Sequence, residues 1–440
     1  PPSASVAEPL PDAQSAEQVQ QVDFDEIAFN DPSFDSFLEE VDIVTLGQTE
    51  NEPDALTLPE LESLALAQHP AIAEAEAKVA ALRGKWLQVG LKPNPVAQNN
   101  SEEIGNESSS GLHAASNGQT IVTANKLSLN RQVVAAEIDQ ARANWDAART
   151  RVLSDVRAEF QNALVAQERL ELTRQLREIA EESLQSVDAM NRAAEASRID
   201  LLQAQTVLQQ AELAVDTASA ALDGVRARLA AVASIDRLPA ERLVGTIGID
   251  LELSDYDTIA SELLTSSPEI ASRVAEISRA QQALRLACAT ITPNVVAQLG
   301  VGVDTATDDT FGRIQVSVPL PITNRNQGNI RRTRAEITAA DRALRRTELE
   351  LNWRLANALQ SYEVARLQRN RFRDEIVPRA EETLTLSIQA FDAGESSYLQ
   401  LLTVQRTLFE ARLSLLDATA SATQAANLIN NYLLSGIPPK

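Results

Sequence analysis

Two histidines, His69 and His113, and one cysteine, Cys288, are all that 440 residues offer for imidazole or thiolate ligation of a metal and for thiol chemistry. A structural zinc site takes four ligands of this kind, so no such site of His and Cys can be assembled within one chain, and one cysteine excludes an internal disulfide. Cys288 falls on the apolar seam of a predicted helix, where a small core residue is expected rather than a reactive thiol. The acidic stretch from Asp304 to Asp309 (DTATDD) has the carboxylates of a calcium loop, but three carboxylates in a hairpin loop are more often plain turn chemistry. Arg192, Arg198 and Asp200 form one further constellation, a carboxylate at the start of a helix beside two guanidiniums. Such a carboxylate either caps its own helix or bridges to an arginine of a neighbouring one as a latch. No nucleophile elbow, phosphate-binding glycine loop or metalloprotease motif occurs, so the expectation is a non-enzyme with no cofactor and no metal site.

The elements that carry these residues are organised as a duplication. Residues 195–213 (EASRIDLLQAQTVLQQAEL) return as residues 395–413 (ESSYLQLLTVQRTLFEARL), matching without a gap at Ser197/Ser397, Leu201/Leu401, Leu202/Leu402, Gln205/Gln405, Leu208/Leu408 and Ala211/Ala411. Pro93-Asn94 answers Pro293-Asn294, and Ala136-Glu137-Ile138 answers Ala335-Glu336-Ile337. A period near 200 residues is too long for a solenoid repeat and means that a whole helix–hairpin–long helix–helix block was copied.

Within each block the hydrophobic rhythm is helical. Ile72, Ala75, Val79, Leu82, Trp86 and Val89 step by 3 and 4, as do Ile270, Val274, Ile277, Gln281, Leu284 and Cys288. Thr57 and Pro59 open a shorter helix over 56–67. Neither Pro nor Gly interrupts Lys126 to Arg192, which predicts a rod of roughly 95–100 Å at 1.5 Å per residue. A second rod runs from about Asn329 to Ala393, with a kink expected at Pro378. Returning helices follow, with Leu201, Ala204, Leu208, Ala211, Val215 and Ala218 on the seam of the first and Leu401, Val404, Leu408, Ala411, Leu415 and Ala418 on that of the second. Alternating Leu and Ala permits close helix approach. Between first helix and rod, Val295–Val303 and Phe311–Val318 read as a strand hairpin, with Ile314, Val316 and Val318 alternating with polar residues. Its counterpart over 95–123 shows a convincing strand only at Gln119–Thr123, because Asn99–Gly118 is polar.

Charge is uneven. The first 77 residues hold 18 Asp and Glu and no Lys or Arg, which is −18 of the net −23. Low hydrophobicity with one sign of charge predicts a disordered acidic leader over 1–55. The start at Pro1-Pro2, without Met, is read as a processed or trimmed form. The rest is nearly balanced, which argues against a nucleic-acid surface. No apolar run reaches the roughly 18 residues of a spanning helix, so a membrane would have to be crossed by strands. The expected organisation is the leader 1–55, a first repeat 56–232, a connector 233–260, a second repeat 261–435 containing the hairpin 295–319, and a tail 436–440. The expected fold is mainly α with a small β part. Rods of this length leave seams that one chain cannot bury, and two isolated hairpins leave open edges, so symmetric association is expected to close a tube of helices and a barrel of strands.

The segment Val318-Pro319-Leu320-Pro321-Ile322-Thr323-Asn324-Arg325-Asn326-Gln327-Gly328-Asn329-Ile330 strongly resembles the PLPIFNRNQGNI segment of TolC-family outer-membrane efflux proteins, most of all their cobalt-zinc-cadmium and copper branch. Gln119–Thr123 with Lys126-Leu127 and Leu129-Asn130-Arg131 is similar to that branch's entry into its first long helix, and Ala393-Gly394-Glu395-Ser396-Ser397 with Leu401-Leu402 resembles the family's periplasmic tip turn. The resemblance covers about residues 56–435. Three departures stand out: Thr323 replaces the usual Phe, Asn125 stands where a Gly is common, and Ala194 sits opposite Gly394. The resemblance implies a homotrimer in the bacterial outer membrane, extending into the periplasm, with a trimeric α-helical barrel continued by a 12-stranded β-barrel to which each chain gives four strands. It also implies passive conduction of cargo, heavy-metal cations in this branch, and partnership with outer-membrane lipid, a periplasmic adaptor protein and an inner-membrane pump. The implied tip for docking and gating comprises Arg192, Ala194, Ser197, Arg198, Asp200, Gly394, Ser397, Gln400 and Thr403. The strand-to-helix motif comprises Pro319, Leu320, Pro321, Asn324, Arg325, Asn326, Gln327 and Gly328. Some relatives carry an acidic ring at the tip; Gln400 and Thr403 occupy its places here, whereas Asp200 matches an acidic tip position of the first block. The polar stretch Asn99–Gly118 supports one alternative, a soluble or peripheral periplasmic helical scaffold that has lost barrel insertion.

Overall fold

Helix caps and glycine-poor runs set the elements of the computed structural model, which describes residues 55–102, 104, 111–193, 196–238, 242–248, 255–305, 307–393 and 395–433. The acidic leader up to residue 54 and the C-terminal tail lie outside these residues, as do 239–241 and 249–254 of the connector. Strand β1 (Ala55–Leu56) leads into α1 (Leu58–Gln68), whose start is fixed by Glu60 Oε2 accepting from the Thr57 backbone N–H and hydroxyl, both at 2.7 Å. His69 then caps α2 (Pro70–Val89), its Nδ1 accepting from the Ala71 N–H at 3.2 Å. Strands β2 (Val96–Glu102) and β3 (Leu112–Ile121) follow, then the first rod, α3 (Lys126–Arg192), and its return, α4 (Arg198–Val232). At 67 residues α3 is about 100 Å long.

The second block repeats the order. A short β4 (Arg242–Leu243), paired in parallel with β1, precedes α5 (Tyr256–Ser266), α6 (Pro268–Ala289), β5 (Val295–Asp304) and β6 (Asp309–Ser317). The second rod is α7 (Gln327–Arg371) and α8 (Val377–Asp392), and α9 (Tyr398–Asn430) returns. The discontinuity expected at Pro378 takes the form of a π-helical turn over Phe372–Ile376, separated from the proline by Val377 alone. An extra residue in that turn supplies the slack that the missing proline N–H requires.

The hairpins do not stand apart. β3 pairs with β5 over ten residues, Leu112 opposite Asp304 through Ile121 opposite Val295, giving one antiparallel sheet in the order β2-β3-β5-β6. This corrects the expectation of two isolated hairpins. Strand period then sorts the sheet into two faces. Ala297, Leu299, Val301 and Val303 lie with Ile314 and Val316 on one face, which β3 and β2 continue with Gln119, Asn117, Ala115, His113 and Asn99. On β5 and β6 that face is apolar and open: Leu299 is 63% exposed and Ile314 80%.

The largest core cluster sits midway along the rods. Phe160, Val156, Leu164 and Leu229 are buried there with Leu61 and Leu243, tying α3 and α4 to α1 and the β1–β4 pair. The seam of the returning helix α9 is buried at Leu401, Leu408, Ala411 and Ala418. Cys288 is different. It is exposed, so the core placement expected for it is wrong. The buried positions of α6 are Pro268, Ser272, Ala280 and Ala287, and the face carrying Val274 (52% exposed) and Cys288 points away from the chain's own helices.

Candidate functional site

The two ends of the rods hold the residues of interest. At one end each strand-to-helix turn is built around an asparagine in the left-handed region, Asn125 (φ 53°, ψ 28°) and Asn326 (φ 58°, ψ 20°). A β-carbon is strained there, and Asn tolerates it best after Gly, which explains why Asn125 can stand where a glycine is common. In the second turn the motif residues bond to one another. Asn324 Oδ1 accepts from the Asn326 N–H at 3.0 Å, Gln327 Oε1 accepts from the Arg325 N–H at 2.8 Å, and Gln327 Nε2 donates to Thr323 O at 3.2 Å. Asn326 Nδ2 reaches Ala287 O at 2.8 Å, fastening the turn to the end of α6. Leu320 (76%) and Ile322 (72%) remain exposed beside Pro319 and Pro321, and a side chain at Gly328 would meet nothing within 4 Å. In the first turn the link crosses between blocks: Lys126 Nζ donates to Thr292 O at 2.5 Å and Asn294 Oδ1 at 2.6 Å, and Thr123 Oγ1 donates to Pro293 O at 2.6 Å. Burial holds the Lys126 ammonium below its ordinary range.

The opposite end carries the two helix turns. Ser197 caps α4 in a reciprocal arrangement, its hydroxyl accepting from the Asp200 N–H at 3.2 Å while Asp200 Oδ2 accepts from the Ser197 N–H (3.0 Å) and hydroxyl (2.7 Å). Ser397 accepts only from the Gln400 N–H, at 3.4 Å. Arg192 pairs with Asp188 one turn earlier at 2.5 Å, and Arg198 is exposed. Thr403 bonds back to Leu399 O at 2.8 Å. Ala194 and Gly394 lie outside the described residues. The two turns are held together by an apolar cluster in which Phe391 and Leu402 of the second pack on Val187, Leu201 and Ala204 of the first. Sequence reading had not singled out Phe391; its place on the seam of the second rod, one turn before Gly394, was the available signal.

The bond from the Ser197 hydroxyl, reinforced by its N–H, holds the Asp200 carboxyl below the ordinary aspartate range. A depressed folded pKa means that the stabilisation is complete above the unfolded value, about 3.9, and is lost as pH falls through the folded one. At neutral pH the cap is fully formed. Ser197→Ala is expected to destabilise its tip by about 0.5–2 kcal/mol, with Ser397→Ala at the low end of that range. Amide hydrogen exchange across the two turns checks this, and equal protection losses would show that the Asp200 carboxylate adds nothing.

Among the described residues no group of three or more His, Cys, Asp or Glu could hold a metal ion. His69 is a helix cap and His113 bonds Ser101 at 2.9 Å. A cleft of about 1050 Å³ opens between α3, α4 and the connector, lined by acids (Glu168, Glu171, Asp223) and bases (Arg174, Arg226, Arg237) alike. No described helix is long and apolar enough to cross a membrane.

Residues 259–433 match the outer membrane efflux protein family model. The chain is 26% identical over 390 residues to the cobalt-zinc-cadmium resistance protein CzcC of Cupriavidus metallidurans, an alignment covering 86% of this chain and 90% of that protein. The likeness to that family rests on the second repeat, and the likeness to CzcC extends over most of the chain. Solved structures give the same fold at low identity. The CusC channel superposes with a TM-score of 0.72 at 16% identity, covering 86% of this chain and 92% of that one. The MtrE outer membrane channel of Neisseria gonorrhoeae gives 0.72 at 18%, covering 86% and 89%. The fold is thus the TolC-type one, mainly helical with a small four-stranded antiparallel sheet. The scaffold alternative is not favoured by these relatives.

Proposed function

We propose that the protein is the passive outer-membrane exit duct of a tripartite efflux pump and that its cargo is heavy-metal cations. The observation that carries this is the four-stranded sheet. Its outer strands β2 and β6 each have a partner on one side only among the described residues, and its β5–β6 face is apolar and exposed. In lipid every backbone polar group must be satisfied internally, so such a sheet is completed by joining copies edge to edge into a closed barrel. Three chains give twelve strands, with the rods continuing as a tube of helices into the periplasm. Outer-membrane lipid then covers the apolar face.

The metal cargo is supported by the relationship to a cobalt-zinc-cadmium resistance protein. Cargo choice falls to the inner-membrane pump, because the described residues hold no metal cluster of their own. The tip of Arg192, Ala194, Ser197, Arg198, Asp200, Gly394, Ser397, Gln400 and Thr403 is the end that meets the adaptor and gates the duct. Its support is that the turn is the best-repeated segment of the two blocks and that Phe391 and Leu402 join both turns into one body. The motif from Pro319 to Gly328 fixes the angle at which strands enter the rods.

The test is assembly. Native mass measurement in detergent is expected to give three chains of 47.7 kDa, released from membranes by detergent and not by salt. A well-folded monomer in the salt wash would sink the duct. Deleting the gene is further expected to lower tolerance to divalent heavy metals in the host, and tolerance that is unchanged would remove the metal assignment while leaving the duct.

A further inference from the structure

The face of the sheet opposite the apolar one carries a charged bridge that lies across its whole width. Arg313 on β6 gives both terminal nitrogens to Glu102 on β2, Nη1 to Oε1 at 3.0 Å and Nη2 to Oε2 at 3.2 Å. In the order β2-β3-β5-β6 these strands are three spacings apart, about 14 Å on a flat sheet at ~4.8 Å each. Side chains standing upright on a flat sheet would not meet over that span. The sheet must therefore curl with this face inside.

Packing gives the same answer independently. Between the two charges the floor is made of Gly300, Gly302, Ser116 and Ala114. A β-carbon at Gly302 would lie 2.5 Å from Phe311 Cζ and 2.6 Å from His113 O, and one at Gly300 would lie 2.8 Å from Ser116 Cβ. Crowding of this degree belongs to a concave surface. Gly302, Ala114 and Gly118 are buried on it, whereas Leu299, Val301, Ile314 and Val316 on the other face are open. Glu102 ends β2 on the side of the sheet farthest from the helices.

We propose that the Glu102–Arg313 bridge arches over the inner wall of the barrel and sets the ion preference of the outer part of the duct. The proposal rests on the duct assignment above, with one arch per chain and three around the lumen. Charges on the low-dielectric wall of a narrow aqueous passage select ions by sign. A guanidinium alone would repel cationic cargo, and a carboxylate alone would retain it. Paired, the two present no net charge, and departing metal cations pass without being held or repelled. Glycine and alanine beneath the arch leave room for the Phe311 ring, which lies over Gly302. As an exposed ion pair it adds little to folding, so its removal tests conduction and not stability.

The experiment is single-channel recording in planar bilayers under a potassium chloride gradient, using the full chain purified from membranes. Arg313→Gln leaves Glu102 unpaired and is expected to shift the reversal potential toward cation selectivity. Glu102→Gln is expected to shift it the opposite way, and the double variant to return it to the wild-type value with a larger conductance. Arg313→Lys keeps the charge and is expected to stay near wild type, which separates charge from any general disturbance of the strands. Reversal potentials that do not move, or that move in the same direction for both single variants, overturn the arch while leaving the duct intact. A wild-type protein that opens no pore at all overturns the duct and the arch with it.

Discussion

Ile314→Arg is expected to abolish membrane insertion, while Gln315→Arg, one residue along the same strand, is expected to be tolerated. Ile314 is 80% exposed in the single chain and stands opposite Leu299 in the middle of the apolar face. On a lipid-facing barrel position an arginine costs about 2–4 kcal/mol at the bilayer midplane and about 0–1 kcal/mol near the interfaces. The residue occurs once per chain, so the proposed trimer would carry the penalty three times, about 6–12 kcal/mol, which is comparable to the whole stability of an ordinary domain. Gln315 points to the concave, polar face, where an added guanidinium meets water. Membrane fractionation of the two variants, with heat-modifiable migration of the trimer as second readout, checks the difference. If both variants insert, or neither does, the assignment of faces is wrong. The contrast is a strict test because strand geometry alone separates the two positions.

The rods were plain in the sequence because helix periodicity is local. Lys126 to Arg192 has neither Gly nor Pro, and the helix fills that range. The first hairpin was not plain. Asn99, Ser101 and Asn117 carry no strand propensity or apolar alternation, yet β2 and β3 form. The strand state of β3 is imposed by ten residue pairs with β5, and that of β2 by its pairing with β3, tertiary effects that sequence windows do not contain. For the same reason the joining of the hairpins was missed. The misplacement of Cys288 has another origin. A heptad seam names a face that something covers, and on α6 the chain's own helices cover the Ala280–Ala287 face instead. At Pro378 the position of the irregularity was legible and its form, a π turn, was not. Among the site residues, Ser197 and Asp200 were recognisable as a cap by spacing alone. Nothing in the composition signalled the Glu102–Arg313 bridge, because it depends on strand order and curl.

Phe160→Ala is expected to be the most damaging single truncation in the middle of the rods. Phe160 is 2% exposed and packs in the cluster that joins α3 and α4 to α1 and the β1–β4 pair. Truncating a buried phenylalanine costs about 3–5 kcal/mol, with the upper end reached where the surroundings cannot collapse into the cavity. Two features keep this site from collapsing. One wall is the 67-residue helix α3 itself, and moving its backbone inward would disturb its packing for several turns in each direction. Another is Gly245, where the backbone already comes so close that an added β-carbon would lie 3.0 Å from Phe160 Cε1. Beside the ring, Glu159 is only 4% exposed and is held by Arg228 at 3.2 Å and Asn162 at 3.3 Å, so an opened cavity would disturb a buried carboxylate as well. Phe391→Ala at the tip, where the ring is half-buried and the helices end nearby, is expected to cost less. Thermal unfolding of the detergent-solubilised protein, followed by far-ultraviolet circular dichroism, compares the two. Equal losses, or a Phe160→Ala loss below about 1 kcal/mol, would show that the middle of the rods repacks freely and that the cluster does not clamp them.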